Sequence, residues 1–106
     1  MEFLVRQTSH IPALPLEELA EIKSQERAYA ARLRAEGVLQ HLWRVPGSRS
    51  AIGWYAADDT THLHEVLSSL PTFEWLEITV EPLATHPQEQ PIKNLRARNR
   101  HAVPTT

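Results

Sequence analysis

The 106 residues leave room for one domain, and 42% hydrophobic content is enough to give it a core. A formal net charge of −2 argues against a general nucleic-acid binder, which needs a basic surface, and the absence of cysteine excludes disulfides, thiolate metal sites and cysteine nucleophiles. No apolar run reaches the ~18–20 residues of a membrane span, and the N-terminus lacks the basic start and long apolar centre of a secretory signal, so a soluble cytoplasmic protein without membrane partners is expected.

Residues 2–8, EFLVRQT, read as a first strand, followed by the proline-bearing loop SHIPALP. From Pro15 the period changes. Leu16, Leu19, Ile22, Tyr29, Ala30 and Leu33 fall at helical spacing, Glu17 and Glu18 suit a helix start, and Gly37 suits its stop. A helix over 15–36 is therefore expected. VLQHLWRV (38–45) and SAIGWYAA (50–57) flank Pro46-Gly47 and predict an antiparallel hairpin. Residues 58–70 read as a shorter helix capped by one of its Asp or Thr residues, with Leu63, Val66, Leu67 and Leu70 on its apolar side. Residues 73–83 read as a last strand in which Leu76, Ile78 and Val80 alternate with polar neighbours.

This order predicts an α+β, ferredoxin-like βαββαβ domain over residues 1–87, with a four-stranded antiparallel sheet and both helices on one face. The other sheet face would stay bare, which a second copy would cover most simply, so a dimer is expected. Residues 88–106 form a polar segment with Arg96, Arg98 and Arg100 in alternation. They read either as a solvated tail or as an arm that packs on a neighbouring subunit.

The candidate site begins at Glu26. It lies four residues after Ile22 and four before Ala30, in the middle of the helix's apolar stripe. Burying a carboxylate there is costly and raises its pKa, which suits a base that abstracts a proton next to a carbonyl. The plainer reading is a carboxylate paired with an arginine of the sheet, and the two are compatible. Lys23 and Tyr29 flank it at i−3 and i+3. In the hairpin, alternation puts His41 and Trp43 on one face and Gln40, Leu42 and Arg44 on the other. Arg44 offers a fork that fits a carboxylate, and His41 a proton or a hydrogen bond; each could equally be structural. Periodicity does not say which face lies under the helix. His62 and His64 point apart on a helix and no metal-ligand spacing occurs, so no metal is expected, and no glycine-rich phosphate loop is present.

FLVRQT, KSQERAYAARLRAEG, HLWRVPG and LSSLPTFEWLEITVEPLATHP, together and in register over roughly residues 2–87, resemble the muconolactone delta-isomerase family. The resemblance implies a cofactor-independent isomerase late in the catechol branch of the β-ketoadipate pathway. Such an enzyme moves a proton and a double bond in muconolactone to give 3-oxoadipate enol-lactone. It also implies subunits pairing as a dimeric α+β barrel within a homo-oligomer, at least a dimer and up to a ring such as a decamer. On this reading Glu26 is the base, Arg44 holds the carboxylate of a small anionic lactone, and His41 or Lys23 meets the developing oxyanion, a service worth roughly 3–4 kcal/mol per donor. Tyr29, Trp43 and Arg49 complete the expected substrate contacts.

The chain also departs from that pattern. Where the family runs through an asparagine into S-x-F-D-V, this chain reads SRSAIGWYAAD. Ala51 stands in the place of the asparagine and Gly53 in that of the serine, while Arg49 adds charge and Trp54 and Trp75 add bulk. A substituted or chlorinated muconolactone, isomerised or dehalogenated, is the alternative substrate these changes suggest. A non-catalytic dimeric binding module is the alternative from another class. A base facing a closed, fully packed interior would favour it.

Overall fold

A computed structural model describes residues 1–89. The chain runs β1 (Glu2–Ser9), α1 (Leu16–Ala35), β2 (Leu39–Arg44), β3 (Ser50–Ala56), α2 (Thr60–Ser68) and β4 (Leu76–Leu83), with 3-10 turns at Phe73–Trp75 and Pro87–Glu89. The strands form one antiparallel sheet in the order β2-β3-β1-β4. This is the expected ferredoxin-like α+β arrangement. The tail reading from residue 90 onward falls outside the described residues.

Side-chain alternation divides the sheet into two faces. Phe3 and Val5 of β1 pair with Tyr55 and Gly53 of β3, and Val5 also pairs with Val80 of β4. Phe3, Val5, Leu39 and Tyr55 join Leu33 of α1 and Leu63, Val66 and Leu67 of α2 in one buried core, so both helices cover this face. β2 carries a bulge: Leu39 stands opposite Tyr55 and His41 opposite Trp54, leaving Gln40 as the extra residue. The bulge lets Leu39, Leu42 and Arg44 share the helix face while His41 and Trp43 turn to the open face.

Each helix ends as its residues dictate. α1 stops in a Schellman motif: Gly37 adopts φ 77°, its N–H donates to the Arg34 carbonyl at 3.1 Å, and the Val38 N–H donates to Leu33 at 2.9 Å. Asp59 caps α2 by accepting from the His62 N–H at 2.7 Å. The apolar stripe of α1, however, is fully buried only at Leu33. Leu19 and Ile22 are half-buried, and Leu16 is 84% exposed. The first half of α1 stands off the sheet, and Ile22, Lys23 and Glu26 border the gap beneath it.

Residues 73–75, expected as strand, form a 3-10 turn instead. Pro71 ends α2, and the Phe73 and Trp75 N–H groups bond to the Leu70 and Thr72 carbonyls at 3.0 and 2.9 Å. The extra turn leaves the buried Thr72 against α1 before β4 begins.

Gly53 answers to a close approach. A Cβ there would lie 2.5 Å from Cε1 of the Tyr55 ring, which lies across it. Because Tyr55 is 2% exposed and packed on all sides, Gly53→Ala is expected to lower stability by about 1–3 kcal/mol, read as a reduced denaturation midpoint.

Candidate active site

Glu26 is half-buried on the underside of α1, and it has a partner. Its Oε1 accepts from the Thr72 backbone N–H at 3.0 Å and from the Thr72 hydroxyl at 2.6 Å. Two donors on one oxygen fix the carboxylate plane. Oε2 has no hydrogen-bond donor among the described residues. The arginine pairing considered from the sequence is not what holds Glu26; Thr72, from the α2–β4 connection, does so.

Beneath Glu26 lies an open cavity of about 270 Å3. Ligand pockets commonly run ~300–1,000 Å3, so the space suits a small metabolite. Ile22, Leu42 and Leu76 give it apolar walls, while Lys23, Arg44 and Gln7 bring polar groups to the same space. Ser9, Ile11, Lys23 and Arg44 also line an adjoining cleft of about 450 Å3 that reaches Arg49 on the β2–β3 turn. Lys23, Arg44 and Arg49 make no ion pair with a carboxylate among the described residues. Their charge remains available to an anion, and Glu26 is not locked against any of them.

Gln7 and Tyr55 lie below. The Gln7 side-chain N–H donates to the Tyr55 hydroxyl at 3.2 Å. Burial pushes the Tyr55 phenol above its usual pKa; the Gln7 bond pulls it down, and the nearby Glu26 carboxylate pushes it up again. It is therefore a neutral phenol at physiological pH.

A cavity containing one oriented carboxylate, two cations unpaired among the described residues, and apolar walls can hold a small anion and move a proton on it. The family model described as muconolactone delta-isomerase matches residues 1–89. The chain belongs to the muconolactone delta-isomerase family. It is 38% identical over 87 residues to muconolactone delta-isomerase 2 of Acinetobacter lwoffii, covering 81% of this chain and 91% of that one. It is 39% identical over 88 residues to the muconolactone delta-isomerase of Cupriavidus pinatubonensis, covering 82% and 96%. The crystal structure of a muconolactone isomerase superposes with a TM-score of 0.78 at 31% identity, over 84% of this chain and 94% of that chain. A 5-chloro-2-hydroxyhydroquinone dehydrochlorinase from Burkholderia phenoliruptrix shares the fold, with a TM-score of 0.64 at 15% identity over 85% of this chain and all of that one.

Of the residues singled out for this isomerase-family site, Glu26, Lys23 and Arg44 meet at one cavity, and Arg49 stands at the adjoining cleft. Three do not join them. His41 lies on the opposite sheet face, stacked between Trp43 and Trp54 with ring centroids 5.3 and 5.4 Å away, so the sheet separates His41 and Trp43 from Glu26. Tyr29 turns from the cavity into the core. Its hydroxyl donates to the Val66 carbonyl at 2.7 Å and ties α1 to α2, and Arg32 sits 5.0 Å over its ring. Nor does Trp54 fill the cavity: it is on the open face, where its indole N–H donates to Glu2 at 2.8 Å.

Two residues of the site were not singled out from the sequence. Thr72 carries no local signal, since its contact with Glu26 spans 46 positions. Gln7 carries a weak one: it follows Phe3 and Val5 at the inward positions of β1, a polar residue where the pattern calls for an apolar one. Thr72→Val keeps the shape and the backbone donor but removes the hydroxyl. It is expected to lower kcat about tenfold with little change in KM, measured by steady-state kinetics on muconolactone.

Proposed function

We propose that this protein isomerises muconolactone to 3-oxoadipate enol-lactone, without a cofactor, in the cavity beneath α1. The observation that carries this reading is the position of Glu26: oriented through Oε1 by Thr72, with Oε2 left free among the described residues, over a cavity that also contains Arg44 and Lys23. The substrate is a five-membered unsaturated lactone with a carboxymethyl arm. Arg44 and Lys23 hold the arm's carboxylate. Glu26 takes the ring proton γ to the lactone carbonyl, giving a dienolate whose charge rests on the carbonyl oxygen. The protonated Glu26 then returns the proton to the α carbon on the same ring face. One base suffices because both carbons lie on one side of a small planar ring.

Glu26 faces an open cavity rather than a packed interior, which speaks against a purely binding role. The adjoining cleft with Arg49 favours one extension, to lactones carrying a ring substituent, chlorinated ones included. Turnover of muconolactone by dialysed protein in the presence of a chelator tests the reading. Conversion at an undiminished rate is expected, and a folded protein that leaves the lactone unchanged would contradict it.

The proposal includes a homo-oligomer. His41, Trp43, Trp54, Ile52 and Leu4 make the open sheet face rich in aromatic and apolar groups, and a second copy is the natural cover for it. Light scattering is expected to give the mass of a dimer or a multiple of it. Placement in the cytoplasm belongs to the same proposal.

A further inference from the structure

With His41 on the far side of the sheet and Lys23 engaged beside Arg44 on the substrate carboxylate, the dienolate's oxyanion needs another donor. We propose that Gln7 supplies it and that Tyr55 is the positioning residue that aims the Gln7 amide; the inference rests on the isomerase reading above. Gln7 lines the cavity together with Glu26 and Arg44. One of its amide protons is committed to the Tyr55 hydroxyl at 3.2 Å, which leaves the second to face the ligand.

The sheet register places this donor usefully. Arg44, Ala51, Gln7 and Ile78 form one row across β2, β3, β1 and β4 on the helix face. Arg44 and Gln7 are two strand spacings apart, roughly 10 Å between backbones. The short Ala51 side chain leaves the floor open between them. A lactone whose carboxylate is held at Arg44 therefore extends its ring toward Gln7, with Glu26 above. Ala51 is also the position where the resembled pattern carries an asparagine, so an amide enters the site from the neighbouring strand instead.

Tyr55 is built to hold that amide. Its ring lies over Gly53, where any side chain would collide with it, and its burial allows it no other place. The hydroxyl makes no other hydrogen bond among the described residues. As a neutral phenol it accepts from Gln7 without placing a second negative charge beside Glu26.

The test is a double-mutant cycle on Gln7→Met and Tyr55→Phe, read as kcat and KM on muconolactone, with circular dichroism and a thermal melt for each protein. Gln7→Met keeps volume but removes the donor, and is expected to lower kcat about 10²–10³-fold with KM little changed. Tyr55→Phe is expected to lower kcat about tenfold, again with KM little changed. Since Tyr55 acts through Gln7, the double variant should be no slower than Gln7→Met alone. Should Gln7→Met melt early, Gln7→Leu, which also lacks the N–H donor and adds no charge beside Glu26, replaces it. Wild-type kcat in a folded Gln7 variant would overturn the proposal and leave the isomerase standing. A tenfold effect of Tyr55→Phe that persists in the Gln7→Met background would overturn the positioning role. A wild-type protein inert toward muconolactone would overturn both the proposal and the function beneath it.

Discussion

Glu26→Gln is expected to lower kcat for muconolactone about 10²–10⁴-fold, the range that a positioned general base contributes. The substitution is unusually clean here. Glu26 meets Thr72 through Oε1 alone, and the amide oxygen of glutamine can accept the same two hydrogen bonds at the same place. Neither Lys23 nor Arg44 is ion-paired with the carboxylate, so no partner charge is stranded by its removal. Thermal stability should therefore stay near wild type while the proton transfer is lost. KM should change little, because the carboxylate arm of the substrate is held elsewhere. Steady-state kinetics beside a thermal melt separates the two effects. A variant that still turns over at the wild-type rate would mean that another group removes the proton.

The second large effect is expected at Arg44. Hydrogen bonds to a charged group contribute about 1.5–3 kcal/mol, so Arg44→Ala should raise KM roughly 10–100-fold. Arg44 is exposed on β2 and unpaired within the described residues, so its loss costs the fold little. Arg44→Lys restores the charge but not the planar fork, and should recover only part of the affinity. An unchanged KM in Arg44→Ala would place the substrate carboxylate elsewhere, with Lys23, Arg27 and Arg49 lining the adjoining space among the described residues.

Much of this architecture is legible in the residue pattern alone. α1 shows itself through its period and through Gly37, whose φ of 77° the Schellman motif requires. Pro46-Gly47 marks the hairpin, and the change of period at Pro15 and Asp59 marks the strand–helix order. Glu26 stands out because a carboxylate in an apolar stripe is anomalous. Other features need the third dimension. Alternation separates His41 and Trp43 from Arg44, but only the register of β2 on β3, bulge included, says which set faces α1. Tyr29 has the right helical spacing to reach the cavity, yet the carbonyl of Val66 on α2 captures its hydroxyl. The pairs Glu26–Thr72 and Gln7–Tyr55 join positions 46 and 48 apart, beyond any local pattern. The strand expected at Phe73–Trp75 fails for a local reason: the chain must first turn after Pro71 to leave Thr72 under Glu26.

The departures at 51 and 53 acquire a common sense in three dimensions. Gly53 gives clearance to the Tyr55 ring, Tyr55 holds Gln7, and Ala51 leaves room between Gln7 and Arg44. On the proposed reading, Gln7 of β1 and Tyr55 at the end of β3 supply polar groups to the space that Ala51 and Gly53 leave open.

The most direct measurement follows muconolactone by proton NMR in D2O with wild-type protein and Glu26→Gln side by side. With wild type, the signal of the ring proton γ to the lactone carbonyl is expected to disappear as that of a new methylene α to the carbonyl, carrying at most one deuterium, takes its place. With Glu26→Gln the lactone should persist. A folded wild-type protein that neither converts the lactone nor exchanges its γ proton would contradict proton abstraction in the cavity beneath α1.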